Sequence, residues 1–185
     1  VSTETGEILW ARHKWRYRRF ACRDDLIAAC FERRLAEYAQ AAEDALRAPD
    51  GWTGFCKYVE RVCQMQAVHR GLEDVLTRTF PNAEMLEAHR TRGLELFLEL
   101  IERAKTDGRL RADFVPEDLV LLLMGDAGVV AGAGDAAPDA WRRYVGLMLD
   151  GLRTEGATPL PTPPSPHQML RAMRRLSPSP RPTRS

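Results

Sequence analysis

Between residues 24 and 155 no stretch alternates apolar and polar side chains; apolar residues recur instead at intervals of three and four. That spacing gathers them on one face of an α-helix, whereas a half-buried strand needs a period of two. The chain is thereby confined to helix-on-helix packing. Ile27, Phe31, Leu35, Tyr38, Ala42 and Leu46 make the stripe of a helix from Asp24 to Leu46. Pro49-Asp50-Gly51 ends it, and Asp50 is placed to cap a second helix striped by Trp52, Phe55, Cys56, Val59, Val62 and Cys63. Gly71 interrupts, and a short piece from Leu72 to Phe80 leads to Pro81. A long helix is expected next, from Asn82 to Lys105. Leu86, His89, Gly93, Phe97, Leu100, Ile101 and Ala104 share one of its faces, and Leu94 and Leu98 widen that face.

Asp107-Gly108 reads as a helix stop, and Pro116 as a first-turn proline. The run Leu119-Val120-Leu121-Leu122-Leu123-Met124 has no polar side, so its helix needs cover all round. In a chain this small, one of those sides is expected to meet a second subunit. Gly125, Gly128, Gly132 and Gly134 loosen the chain beyond Met124. Pro138 then opens a last helix with Trp141, Tyr144, Val145, Met148 and Leu152 inward, ending near Gly156. The expectation is an all-α body of five or six helices.

Charge divides the chain in three. Residues 1–23 hold six basic and two acidic residues, and residues 156–185 hold five basic and none acidic. The body, 24–155, carries a net −8. A basic front beside an acidic body suits contact with a polyanion by the front alone. The tail, 156–185, contains eight of the twelve prolines and is expected to be mostly extended or disordered, with one short basic helix from His167 to Leu176. Pro161 and Pro164 form a PxxP, a weak signal within a proline-rich tail.

With 185 residues, 44% apolar and 29% charged, the chain can bury a core without staples. No uninterrupted apolar run reaches the length of about 18 that a membrane span requires, and no secretory signal is visible, so no membrane partner is expected. Cys22, Cys30, Cys56 and Cys63 show no CxxC pair, and the four histidines are not placed to complete a zinc site. Reduced cysteines in a cytoplasm, no metal and no cofactor are the expectation.

Tyr17-Arg18-Arg19-Phe20-Ala21-Cys22-Arg23-Asp24-Asp25-Leu26-Ile27 resembles the end of the helix-turn-helix in TetR-family transcriptional regulators. Arg103-Ala104, followed by Gly108-Arg109-Leu110-Arg111-Ala112-Asp113, is similar to a turn common in the bodies of that family. Trp141-Arg142-Arg143-Tyr144 and Leu149-Asp150-Gly151-Leu152-Arg153 look like the last helix of one subgroup. The resemblance implies a remnant of the DNA reader in 1–23 and a ligand-binding, dimerising helical domain in 24–155. It implies a small-molecule-responsive DNA-binding repressor of bacterial type. Lys14, Arg16, Tyr17, Arg18 and Arg19 would reach DNA phosphates, contacts that fix register without reading sequence.

Only sixteen residues precede Tyr17, fewer than two helices and most of a recognition helix require. The resemblance therefore implies a truncated or degenerate reader, from a misassigned or trimmed start, an upstream frameshift, or a relic without a reader. The alternative function is a dimeric helical protein that binds a ligand or partner and not DNA. Trp10, Trp15 and Tyr17 among basic residues would suit base stacking only weakly.

The resemblance also implies a small apolar or amphipathic effector held inside the body. Candidate lining from the first two helices is Phe31, Leu35, Trp52, Phe55, Tyr58 and Val59. Val62, Met65, His89, Phe97 and Met124 complete the set, a mixture of aromatics and thioethers with few polar groups. A homodimer interface is expected from the last two helices through Leu119, Leu122, Leu123, Val130, Trp141, Tyr144 and Met148. No enzyme is expected: His69 and Glu73 are an ordinary i,i+4 pair, and Gly128-x-x-x-Gly132-x-Gly134 follows no strand.

Overall fold

The computed structural model describes residues 23–68 and 84–176. Among them are six α-helices: α1 (Arg23–Leu46), α2 (Gly51–Val68), α3 (Glu84–Thr106), α4 (Pro116–Ala133), α5 (Ala140–Gly151) and α6 (Pro166–Leu176). A short 3-10 turn, Gly134–Ala136, follows α4, and the described residues contain no strand. The fold is all-α, as the periodicity predicts.

α1 and α3 pack along each other, and α2 lies against both. α4 and α5 form a second pair resting on α2, and α6 leans on α4. One core runs through both pairs. Phe55 stacks on Trp52 at 5.9 Å and meets the edge of Phe114 at 5.3 Å, tying α2 to the α3–α4 connection. Tyr58 and Phe97 meet at 5.3 Å and tie α2 to α3.

The joints are built from local polar contacts. Asp50 caps α2 as expected, its carboxylate accepting from the Thr53 amide and hydroxyl at 2.8 Å each. Those bonds hold the Asp50 carboxyl below the usual range. α3 ends at Gly108, whose φ of 69° favours a residue without a side chain. Pro116 opens α4 as its first-turn residue, while Asp118 accepts the Val115 amide at 2.9 Å.

Arg111 is the strongest polar node. It is buried, pairs through Nε and Nη2 with both carboxylate oxygens of Asp113 at 2.6 and 3.0 Å, and donates to the carbonyls of Gly151 and Thr158. Its own amide donates to Leu152 O at 3.0 Å, and the Thr154 amide to Arg109 O at 2.9 Å. The Gly-Arg-Leu-Arg-Ala-Asp turn thus clamps the end of α5 and the first residues of the tail.

Four expectations change. Leu149 takes the buried place on α5 expected of Met148, which faces out, while Trp141, Val145 and the half-buried Tyr144 and Leu152 pack on the core as expected. Leu94 and Leu98 of α3 are exposed rather than packed. The tail from 157 to 176 is not detached: after an irregular stretch, α6 forms as predicted and buries Met169 to 4% exposure against the body. Finally, Pro116–Ala136 is by length and composition apolar enough to cross a membrane, which a search for uninterrupted runs misses. Here it packs on α2 and α5 and carries the buried Asp126.

Candidate ligand cavity

A cavity of about 430 Å³ lies between α1, α2, α3, α4 and α6. Each wall follows from helix phase. Leu35 and Tyr38, one turn apart on α1, face Tyr58 and Val62 of α2. From α3 come His89, Arg90, Gly93, Leu94 and Phe97, residues three to four apart. The first turns of α4 add Pro116, Glu117, Leu119, Val120 and Leu123. Met169, Leu170 and Met173 of α6 form a further wall, with Pro166 at the start of that helix.

The lining is chiefly apolar, with polar groups confined to His89, Arg90, Glu117 and the two tyrosines. The Arg90 guanidinium is paired with Glu87 at 2.5 Å. Burial pushes the Tyr58 phenol up, so its hydroxyl keeps its proton and remains a donor. This is the composition of a small-molecule site: a wide apolar wall with a few orienting groups.

Five of the eleven expected lining residues face this cavity: Leu35, Tyr58, Val62, His89 and Phe97. Trp52, Phe55, Val59 and Met65 are buried in α2 without lining it, and Phe55 and Val59 have no exposed surface. Phe31 and Met124 are half-buried elsewhere on α1 and α4. Tyr38 is legible in the sequence only as part of the α1 stripe, and Arg90 and the contribution of α6 are not expected as lining at all. The high apolar contrast of Met169, Leu170 and Met173 against Arg171 and Arg175 was the one available clue.

Of the seven expected interface residues, Leu119, Leu122, Leu123 and Trp141 are buried within the subunit's own core. Val130 and Tyr144 are half-buried, and Met148 is exposed. The exposed large apolar residues of the α4–α5 pair are Leu121 at 45%, Leu147 at 54% and Met148 at 37%. Lys14, Arg16, Tyr17, Arg18 and Arg19, with His69, Glu73 and the Leu72–Phe80 piece, lie outside the described residues.

A second polar feature lies on α4, outside the cavity lining. Asp126 is fully buried on α4, and neither carboxylate oxygen has a hydrogen-bond partner among the described residues. Burial pushes its carboxyl up to about 6. The neighbouring titratable groups are Cys63 of α2 and Tyr144 of α5, both also pushed up, first by burial. Nearby on α2, Gln66 donates to Leu123 O at 3.0 Å. Cys30, Cys56 and Cys63 are free thiols, and burial raises the Cys56 thiol to about 12, well away from a reactive thiolate. No cluster of metal-ligating side chains occurs among the described residues.

The described residues thus form a helical body with an apolar cavity walled in part by α1. Residues 50–154 match the C-terminal domain of SbtR-like transcriptional regulators, and the chain belongs to the TetR family of regulators. No curated protein matches it. The matched segment begins at the Asp50 cap and ends just after the Arg111-clamped end of α5.

Proposed function

We propose that this chain is the effector-sensing body of a TetR-family repressor, taking a small apolar molecule in the cavity between α1 and α6. The observation that carries the reading is that α1 itself supplies part of the cavity wall, through Leu35 and Tyr38. α1 follows directly on the basic residues 1–23, the segment that resembles the end of a DNA reader. A ligand that favours one placement of α1 over another changes the spacing of two readers in a dimer, and operator affinity changes by the same coupling energy. The dimer uses the outward edge of α4 and α5, where Leu121, Leu147 and Met148 join Gly128 and Gly132, beside which nothing packs within 4 Å.

Binding of the chain to DNA from its own upstream region, against scrambled DNA at two salt concentrations, tests the reader. Site-preferring affinity that survives salt supports a working reader. Equal affinity erased by salt, or none, leaves the alternative of a dimeric ligand-binding protein without DNA binding. An effector that weakens site-preferring binding, and is itself bound less tightly when operator is present, supports the coupling.

A further inference from the structure

The family match ends at residue 154, yet one wall of the cavity comes from residues 166–173. α6 therefore lies outside the segment matched to the family domain. It has eleven residues, and an isolated helix of that length is marginal in water. Residues 157–165 before it hold Pro159, Pro161, Pro163 and Pro164 and form no regular element. What holds α6 in place is its apolar side, with Met169 buried and Leu170 and Met173 half-buried. Its outer side carries exposed His167, Gln168, Arg171 and Arg175.

Few charged groups border the cavity. Arg90 is paired with Glu87, and Glu117 sits in the first turn of α4, where the helix dipole favours an acid. Most of the wall offers a charged ligand no counter-charge in return for its lost hydration. The remaining surface is aromatic and thioether, from Tyr58, Phe97, Met169 and Met173, with His89 as a neighbouring polar group. Resting on the effector reading above, we infer that the cavity takes an uncharged, largely apolar molecule, and that α6 closes over it, so ligand binding and docking of the C-terminal helix are one coupled event.

Coupling requires that the ligand stabilise the docked helix by mass action. Nile red, an uncharged dye that brightens in apolar surroundings, serves as the probe on the full chain. Trypsin cleavage after Arg171 reports undocking, because an exposed arginine inside a helix is cut only when the helix opens locally. The expected result is saturable brightening, with cleavage after Arg171 slowed at least tenfold at roughly 100 times the dye's dissociation constant. A doubly substituted chain, Met169→Glu with Met173→Glu, is expected to bind the dye at least tenfold more weakly while its thermal midpoint stays close to the parent's and its far-ultraviolet helix signal falls by no more than the share of the eleven residues of α6.

The outcomes separate the two ideas. Absence of any saturable dye binding overturns both the effector reading and this one. Dye binding with unchanged or faster cleavage after Arg171, or with undiminished affinity in the double variant, overturns the coupling alone and leaves the effector reading standing.

Discussion

Arg103, in the last turn of α3, and Asp107, the residue just beyond that helix, grip opposite sides of a single joint. Arg103 donates to the carbonyls of Leu46 and Ala48 at the end of α1. Asp107 accepts the amides of Gly51 and Trp52 at the start of α2, at 2.5 and 3.1 Å. The orphan carbonyls of one helix and the orphan amides of the next are thus satisfied from a third. The α1–α2 angle, and with it the distance from Leu35 and Tyr38 to the α2 wall of the cavity, is set by α3.

Gly51 is obligatory at this joint, because a Cβ there would collide with the main chain of Arg103 and Ala104, which cannot swing aside. Gly51→Ala is expected to destabilise by about 3 kcal/mol, at the upper end of overpacking costs. Asp107→Ala removes a two-amide cap and is expected to cost about 1 kcal/mol. Thermal unfolding followed by circular dichroism separates the two. A G51A midpoint equal to that of the parent would show that the helices do not approach as described.

How much of this was visible in the sequence differs by level. The helices themselves were, because each carries its own stripe and stop: Asp24–Leu46 was expected against Arg23–Leu46, and Asn82–Lys105 against Glu84–Thr106. The cavity was only half legible. A stripe says which face of a helix is inward, but not whether the neighbour across it is packed side chain or empty space. Phe55 and Tyr58 differ by less than one turn, yet one fills the core and the other borders the cavity. The same limit explains Leu122 and Leu123, read as interface and found in the core, while Leu121 beside them faces out. In a helix apolar on every side, composition carries no phase.

Asp126 makes stability depend on pH. Its folded pKa of about 6 lies above the ordinary 3.8, so between those values the folded state binds more protons than the unfolded one. Stability therefore falls as pH rises from about 4 through about 6 and levels off about a unit above that, with no cation among the described residues near enough to offset the loss. The cost above pH 6 is on the order of 3 kcal/mol. Asp126→Asn is expected to remove this slope and raise the midpoint at pH 7.5 while leaving it nearly unchanged at pH 4. Urea titrations at a series of pH values check the sign; a parent slope that rises with pH across that window contradicts it.

The Arg111 node depends on shape as well as charge. One guanidinium serves Asp113 at two points and reaches the carbonyls of Gly151 and Thr158. An ammonium is a single point and cannot reproduce the fork. Arg111→Lys is expected to destabilise nearly as much as Arg111→Ala, by about 1 kcal/mol, since each loses the forked contacts that join Asp113 to the carbonyls of Gly151 and Thr158. Amide hydrogen exchange is expected to rise first at Arg111 and Thr154, whose bonds join the turn to the end of α5. Full rescue by lysine would reduce the node to simple charge neutralisation.

Subunit association supplies a test in which two adjacent residues are expected to behave oppositely. Leu121 is 45% exposed on the outer edge of α4, whereas Leu122 is 6% exposed and belongs to the core. A carboxylate at Leu121 meets water in the free subunit but would be stranded in an apolar dimer interface, so Leu121→Glu is expected to give a folded monomer. Placing the same charge at Leu122 buries it inside the subunit, and Leu122→Glu is expected to unfold the chain. Sedimentation at micromolar concentration reads the first effect and circular dichroism the second. Pairing Leu121→Glu with Leu147→Glu on α5 is expected to abolish association completely. If both variants sediment as the parent does, the outer edge of α4 and α5 is not where subunits meet.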